Sequence, residues 1–271
     1  MTRLRVLIRG GGDLGSGVGV RLYRAGAQVI VTELHMPLVV RRYVSFAEAV
    51  ISGSTFVEEV PAKKAESKNE VLGFLEKSVV AVLVDPDAES IRWLKPDVIV
   101  DARLRKAAPE ISQDSAPLVI GLGPGFTAGV HCHAVIETKR GPTLGRVYWS
   151  GTAETDSGLP EAVNGFVEER VLRAPKNGVF KPLVRICDFV HKGQLVAEVD
   201  GAPIRAKFDG VIRGLVVEGM PVTSGMKVGD VDPRNDPRLC SLVSDKSLAI
   251  GGGALEAVLS RPDLRKRLCG D

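Results

Sequence analysis

The sequence predicts an α/β fold with a mostly parallel sheet and a small all-β module inserted into it. Short apolar runs alternate with helix-compatible segments over the first 130 residues, and glycine clusters follow several of these runs. Between residues 171 and 232 the apolar residues instead come in short pieces separated by turn residues. The first pattern is typical of βαβ units and the second of an antiparallel module.

Composition and charge exclude several classes of protein. The chain has 271 residues, of which 44% are hydrophobic and 25% charged, as in a globular protein of one or two domains. Its net charge of +3 does not indicate a nucleic-acid partner. No apolar run reaches the roughly 20 residues that span a bilayer, and the first apolar stretch is too short for a signal peptide. We therefore expect a cytoplasmic protein with no nucleic-acid and no membrane partner.

The first 130 residues are expected to form a ligand-binding domain. A strand at 4–8, a glycine turn, a helix at 16–24 and a strand at 28–32 follow one another. Further strand candidates lie at 55–60, 79–84, 97–100 and 118–121, with helix-compatible segments at 45–51, 67–76 and 88–94. This alternation predicts parallel strands with helices on both faces of the sheet.

Three segments complete the predicted organisation. Residues 131–170 form a connector, and residues 171–232 form the β module, in which Asp200-Gly201 indicates a tight hairpin. Residues 233–271 predict a strand at 247–250, a glycine turn at 251–253 and two helical pieces. We expect this last segment to pack back on the first domain.

The first glycine turn matches the spacing of a dinucleotide-binding loop. Gly10, Gly12 and Gly15 lie between a strand and a helix, where the backbone can approach a pyrophosphate. Glu33 ends the second strand and is placed to accept hydrogen bonds from ribose hydroxyls, which favours NAD over NADP. The negative charge of the Asp13 carboxylate would repel a bound phosphate unless the carboxylate points away from it. The alternative is that Asp13 caps the helix and the glycines form only a tight turn.

Two further glycine turns follow predicted strands. One contains Gly123 and Gly125, and the other contains Gly252. Three such turns at the carboxyl ends of strands predict a shared crevice that binds an anion. The alternative is that they are ordinary turns of an α/β protein.

Charged residues near predicted strand exits are candidates for the same crevice. The guanidinium groups of Arg41, Arg42 and Arg103 can clamp phosphate oxygens, or they are solvated surface charges. Glu137 and Lys139, further along the chain, are candidates for the same place.

The segment His131-Cys132-His133 contains the candidate catalytic residues Cys132 and His133. A protonated histidine beside Cys132 would lower the pKa of the thiol and make it nucleophilic, whereas ordinary packing is the alternative. On an extended chain Cys132 points away from both histidines, so no metal site is predicted. Cys187, Cys240 and Cys269 lack C-x-x-C spacing and are expected to be fillers or surface thiols.

Several segments resemble the YqeB family of accessory proteins for selenium-dependent molybdenum hydroxylases. They are residues 9–14, 40–50, 100–103, 121–126, 135–138, 227–234 and 249–253. The resemblance implies a role in maturing such a hydroxylase, at the step that equips its cofactor with selenium. It also implies a Rossmann-like first domain related to the xanthine dehydrogenase accessory proteins, which handle molybdenum cofactor (molybdopterin).

The β module resembles the barrel-sandwich fold of biotinyl and lipoyl carriers, through residues 206–211 and 218–222. In a carrier the modified lysine lies in the preceding hairpin, but here the hairpin at 198–202 contains none. The module is therefore expected to be a docking surface or a lid.

These observations together predict a maturation factor that binds a phosphate-bearing ligand, either molybdenum cofactor or a nucleotide, in a glycine-lined crevice. Gly10, Gly12, Gly15 and Gly123 would donate backbone N–H groups, and Cys132 would carry sulfur or selenium. The expected partners are the hydroxylase apoprotein or other maturation factors. An NAD-dependent oxidoreductase and a non-catalytic chaperone that docks to the hydroxylase are the alternatives, so whether the protein is an enzyme stays open.

Overall fold

The structure is a computed structural model that describes residues 3–104, 110–155, 165 and 168–269. The chain divides into two compact units. The first contains Met1–Pro37, Ser45–Asp156 and Val243–Asp271, and the second contains Leu38–Val44 and Ser157–Leu242. No helix among the described residues is long and apolar enough to cross a bilayer.

The first unit contains eleven described strands and six described helices. The strands are β1 (Arg5–Arg9), β2 (Gln28–Glu33), β3 (Ser54–Val57), β4 (Val60–Ala65), β5 (Val80–Val84), β6 (Val98–Asp101), β7 (Leu118–Leu122), β8 (Thr127–Ala128), β9 (Ala134–Ile136), β10 (Val147–Tyr148) and β11 (Gly151–Thr152). The helices are α1 (Asp13–Arg24), α2 (Glu48–Ser52), α3 (Lys68–Glu76), α4 (Ile91–Leu94), α5 (Asp245–Leu259) and α6 (Pro262–Cys269).

Nine of these strands form one mixed sheet in the order β10-β9-β7-β6-β1-β2-β5-β4-β3. The pairs from β9 through to β4 are parallel, whereas β9–β10 and β3–β4 are antiparallel. The inner strands are almost continuously apolar and buried, because helices cover both faces of such a sheet. The carboxyl ends of the parallel strands therefore share one edge.

Helices α1 and α5 pack very closely through glycines. A Cβ on Gly17 would lie 2.6 Å from the Cβ of Ser247, and one on Gly251 would lie 2.7 Å from the carbonyl oxygen of Gly17. Only glycine allows two helix backbones to approach this closely. The contact keeps the amino-terminal end of α1 in a defined position beside α5.

The second unit contains two four-stranded antiparallel sheets, β12-β19-β17-β14 and β16-β15-β13-β18. Its strands are β12 (Val171–Arg173), β13 (Gly178–Pro182), β14 (Phe189–Val190), β15 (Leu195–Val199), β16 (Ala202–Arg205), β17 (Gly210–Leu215), β18 (Pro221–Val222) and β19 (Lys227–Asp232). Phe180, Val196 and Ile212 lie in its buried core. The predicted Asp200-Gly201 hairpin is confirmed between β15 and β16, and both residues have positive φ, as a type I′ turn requires.

The expected fold class, a Rossmann-like mostly parallel sheet with an inserted small all-β barrel-sandwich (biotinyl/lipoyl-like) module, is wrong. The large sheet is mixed, and the described antiparallel strands form several small sheets and no closed barrel. Apolar patterning predicts which residues form strands but not how edge strands pair. The link between β3 and β4 is only Glu58-Glu59, and so short a turn forces antiparallel pairing.

The predicted strand at 247–250 and the glycine turn at 251–253 are also wrong, because α5 runs through both. Ser244 caps this helix by accepting the Ser247 N–H at 3.1 Å. A short apolar run does not distinguish a strand from a buried helix. The glycines here allow close packing, since a Cβ on Gly253 would lie 2.3 Å from the carbonyl oxygen of Gly145.

Candidate functional site

Polar groups collect at the carboxyl edge of the nine-stranded sheet, where β1 lies between β2 and β6. Arg9 at the end of β1 is in register with Thr32 of β2 and with Asp101 of β6. The glycine loop after β1 therefore lies between Glu33 on one side and Asp101 on the other. We call this region the glycine-loop edge; it comprises residues 9–13, Glu33, Asp101, Arg103 and Glu110.

The glycine loop leads directly into the amino-terminal end of α1. Gly10 has a φ of +94°, which glycine adopts readily, and Gly12 is the N-cap residue. A Cβ on Gly15 would lie 2.0 Å from the carbonyl oxygen of Gly10, so a larger residue does not fit against the loop. The first N–H groups of a helix have no intrahelical partner and attract anions.

Asp13 is the first residue of α1 and not its N-cap. The hydroxyl of Ser247 in α5 donates a hydrogen bond of 2.7 Å to Oδ1 of Asp13. The alternative that Asp13 caps the helix is therefore wrong. A hydroxyl bond to the carboxylate also reduces its repulsion of a nearby anion.

Glu33 bonds to the glycine loop itself. Its Oε1 accepts the Gly11 N–H at 2.7 Å, and its Oε2 accepts the Leu34 N–H at 2.9 Å. Burial raises the pKa of Glu33 despite these two hydrogen bonds, which act in the opposite direction. Each carboxylate oxygen has a second lone pair, so the group that orients the loop keeps the capacity to accept a hydroxyl.

Arg103 is engaged by two carboxylates. Its Nε and Nη2 lie 3.0 and 2.6 Å from the two oxygens of Asp101, and Nη2 also lies 2.7 Å from Glu110. Arg9 is only 2% exposed and bonds to Glu110 at 3.3 Å and to the Pro86 carbonyl oxygen at 3.1 Å. The predicted phosphate clamp is thus a charge-compensated network in this structure.

Arg41 and Arg42 belong to the second unit. Nη2 of Arg41 donates to the carbonyl oxygens of Leu239 and Leu242, at 3.2 and 2.9 Å. Arg41 thereby holds the segment around the 3₁₀ helix Pro237–Cys240. Arg41 therefore belongs to a different unit from the glycine loop, which its position in the sequence did not indicate.

The other predicted glycines have different settings. Gly123 follows β7 with a φ of +72°, but its N–H already donates to the Ile136 carbonyl oxygen at 2.8 Å. Gly125 lies in the same turn with a φ of +102°. Gly252 lies inside α5 and not at a strand end. The expected set of three glycine turns at the carboxyl edge is therefore reduced to two.

Cys132 is fully buried, and burial raises the pKa of its thiol to about 11. The predicted lowering of this pKa is wrong, because removal from water disfavours the thiolate. In the described parts of the chain, no three His, Cys, Asp or Glu side chains are grouped so as to hold a metal ion.

His133 lies at the amino-terminal end of β9, opposite the glycine-loop edge. Its Nδ1 accepts the Val119 N–H at 2.9 Å, and its own N–H donates to the Val119 carbonyl oxygen at 2.9 Å. Burial, and next the charge of Arg261, lower the pKa of His133. His133 therefore lies away from the glycine loop, because the chain must return to the opposite edge of the sheet before it starts a parallel strand.

Glu137 organises the loop that follows β9. It is fully buried and accepts the N–H groups of Thr138, Lys139 and Glu154 at 2.8, 2.7 and 2.8 Å. Lys139 forms an ion pair with Glu154 at 2.8 Å. Glu137 is thus a structural acceptor for backbone groups.

Three residues of this region were not indicated by the sequence patterns: Arg9, Glu110 and Ser247. One signal was available for the charge network. The spacing Asp-x-Arg occurs at 101–103, 232–234, 236–238 and 263–265. In the first three places the carboxylate binds both the N–H and the guanidinium of the arginine, whereas the fourth copy lies inside α6, where the Arg265 N–H donates to the Arg261 carbonyl oxygen. The spacing predicts a local ion pair, but not which copy is buried.

Comparisons with solved structures give only weak likenesses. The chain matches an aspartoacylase family protein from Mesorhizobium loti with 11% identity and a TM-score of 0.27, covering 85% of each chain. It matches a succinylglutamate desuccinylase/aspartoacylase from Rhodobacter sphaeroides with 18% identity and a TM-score of 0.26, covering 87% of each chain. At such scores neither likeness carries an argument about fold or activity.

No protein-family model matches the chain. One curated relative, "Uncharacterized protein YqeB" of Escherichia coli (strain K12), is 45% identical over 254 residues, which is 94% of this chain. The chain spans 47% of the length of that relative. The match supports the expected relationship with the YqeB family over most of this chain.

Proposed function

We propose that this protein is a maturation factor for a selenium-dependent molybdenum hydroxylase and binds a phosphate-bearing ligand at the glycine-loop edge. The ligand is molybdenum cofactor, with or without its nucleotide, or a free nucleotide. The observation that carries the binding proposal is the Glu33 carboxylate on the N–H of Gly11, immediately before the amino-terminal end of α1. The pathway itself comes from the YqeB resemblance.

The phosphate would lie at the start of α1. This helix has twelve residues, and its aligned peptide groups place about half a positive charge at the amino-terminal end. Gly12 has no side chain that could obstruct an approaching oxygen. Because Asp13 is bonded to Ser247, its carboxylate is a weaker obstacle than its sequence position implied.

Glu33 would accept the hydroxyls of a ribose. Its two oxygens are held in position by the backbone of Gly11 and Leu34. A carboxylate at this place repels a 2′-phosphate, so an unphosphorylated ribose is favoured. The neighbouring Arg9 and Arg103 already bind Glu110, whose side chain is half exposed, so a ligand phosphate would have to displace this carboxylate to bind both arginines.

The test is mass spectrometry of small molecules released from protein that is purified without oxygen. We expect molybdopterin or a nucleotide in the wild type and at least about a tenfold loss of it in Glu33→Gln, since a bound ribose loses a charged acceptor. Glu59→Gln is the matched control, because Glu59 is an exposed carboxylate of the same unit. A wild-type protein that is empty and binds neither ligand on addition would contradict the binding proposal.

The role in maturation needs a separate test in cells. Hydroxylase activity would be measured in a strain that lacks this gene and carries either the wild type or Glu33→Gln. We expect the wild type to restore activity and Glu33→Gln to restore it poorly. If Glu33→Gln restored hydroxylase activity to the wild-type level, ligand binding through Glu33 would not be needed for maturation.

An NAD-dependent oxidoreductase is the second candidate, because the glycine loop and Glu33 suit NAD equally well. Its candidate acid–base residues are His131 and His133, and His133 lies at the other edge of the sheet. Recovery of NAD together with hydride transfer to a small carbonyl compound would favour this function over the first.

A further inference from the structure

Cys187 and Cys240 meet in the second unit although 52 residues separate them in the sequence. Cys187 lies just before β14, and Cys240 ends the 3₁₀ helix Pro237–Cys240. The N–H of Cys187 donates to the Ile212 carbonyl oxygen at 2.8 Å, and Sγ of Cys240 lies 3.5 Å from the same oxygen. Although they lack C-x-x-C spacing, the two cysteines therefore contact the same carbonyl oxygen in the fold.

A reciprocal contact involves the other sulfur. Sγ of Cys187 lies 3.9 Å from the carbonyl oxygen of Pro237, which begins the helical turn that contains Cys240. Each thiol thus contacts the backbone that positions the other. Burial, and next the neighbouring Cys187 thiol, raise the pKa of Cys240 to about 12, as expected for two thiols in contact.

The two thiols differ in access and in backbone geometry. Cys240 is 1% exposed, whereas Cys187 is half-buried and reachable by a small oxidant. Cys187 has a φ of +80°, a conformation that favours glycine over a residue with a side chain. Arg185 and Asp188 hold this turn, because Asp188 Oδ2 accepts the Arg185 N–H at 2.7 Å. The Cys187 sulfur is therefore presented from a rigid turn.

We propose that Cys187 and Cys240 form a reversible intramolecular disulfide when the protein meets a hydroperoxide. The Cys187 thiolate attacks one oxygen of hydrogen peroxide, the O–O bond breaks, and a sulfenic acid forms. The departing hydroxide takes up the proton that the thiol had released and leaves as water. The Cys240 sulfur then attacks Cys187, the S–O bond breaks, and a second water leaves with the thiol proton. Two thiols lose two electrons and two protons, and one hydrogen peroxide becomes two waters.

Peptide mapping of the whole protein tests this directly. Trypsin releases residues 186–192 and 239–246, each with a single cysteine. After treatment with hydrogen peroxide and blocking of free thiols, we expect these two peptides to appear linked, with two hydrogens fewer than their summed mass. Dithiothreitol should restore both separately.

Cys132→Ser is the matched control, because Cys132 is buried and lies in the first unit. It should leave the linked pair unchanged, whereas Cys187→Ser should abolish it. The wild-type map is decisive even if a variant folds poorly. Unlinked peptides with Cys187 oxidised to sulfinic acid, linkage of either peptide to Cys132 or Cys269, or no reaction at all would overturn the proposal.

Discussion

At the scale of single residues, Glu33 has two tasks that place opposite demands on its charge. As an ion it is the stronger acceptor for the Gly11 N–H, but burial raises its pKa and so favours the neutral form. Glu33 stays buried despite the cost of removing its carboxylate from water, because the N–H groups of Gly11 and Leu34 would otherwise lose their hydrogen-bond partner.

The raised pKa predicts a pH dependence of stability. The folded chain binds the Glu33 proton more tightly than the unfolded chain. Its contribution to the free energy of unfolding is therefore greatest below the unfolded pKa and is lost as pH rises through the folded pKa. Urea unfolding at a series of pH values should show the wild type losing stability relative to Glu33→Gln as pH rises.

Comparison with Glu59→Gln should give a pH dependence of stability of the opposite sign. Its own backbone N–H, and next Arg24, lower the pKa of Glu59. The wild type should therefore gain stability relative to Glu59→Gln as pH rises. If the difference in the free energy of unfolding between the wild type and each variant changed with pH in the same direction for both, burial would not control the pKa of Glu33.

Cys132 provides a second prediction at this scale. A pKa near 11 and full burial should slow its alkylation by iodoacetamide about a hundredfold relative to an ordinary thiol at neutral pH. Timed labelling of the native protein, followed by peptide mass spectrometry, should show Cys187 labelled before Cys132. Equally rapid labelling of Cys132 would show that the segment around it opens in solution.

At the scale of elements, the close packing of α1 against the glycine loop depends on Gly15. Gly15→Ala should destabilise the protein by about 3 kcal/mol, because the new Cβ would overlap the carbonyl oxygen of Gly10. Gly73→Ala in α3 is the matched control, with open space at its Cβ, and should stabilise by about 0.5–1 kcal/mol. Chemical denaturation measures both, and equal effects would contradict the packing argument.

The repeated Asp-x-Arg spacing separates the effect of burial from that of sequence. Asp101→Asn should cost about 3–5 kcal/mol, because it leaves the guanidinium groups of Arg9 and Arg103 with less negative charge in a buried site. Asp236→Asn removes the same local pair from Arg238 at the surface and should change the free energy of unfolding little. If urea unfolding showed the two variants losing similar amounts of stability, burial would not explain the cost of breaking the Asp-x-Arg ion pair.

At the scale of the whole molecule, the chain passes between the two units at four places. The short segment Leu38–Val44 is part of the second unit although most of that unit lies after residue 156. Val40 packs against its core, and Arg41 bonds to the carbonyl oxygens of Leu239 and Leu242. The segment is therefore a structural part of that unit and not a linker.

Arg41→Ala should consequently destabilise the second unit by about 2 kcal/mol, since two carbonyl oxygens lose a charged donor. Hydrogen exchange should become faster in residues 237–242 and stay unchanged in the strands of the first unit. Arg185→Ala, an exposed arginine of the same unit, is the control. Faster exchange across both units would show that they unfold together.

Local chemistry made part of this structure predictable. The apolar runs at 4–8, 28–32 and 118–121 are strands, because their lengths and their neighbouring glycines suit strands that end in turns. The Asp200-Gly201 hairpin followed from two residues that tolerate positive φ. The match with YqeB supports the family expected from longer segments.

The sequence by itself therefore determined the positions of most strands of the large sheet, the glycine loop and the hairpin, since each depends on residues close together in the chain. Only the tertiary structure decided that α5 replaces a predicted strand, that Ser247 bonds to Asp13, that His133 lies at the opposite edge from the glycine loop, and that Cys187 meets Cys240. These features depend on contacts between distant segments. Residue types and spacing do not specify such contacts, because many pairings satisfy the same apolar pattern.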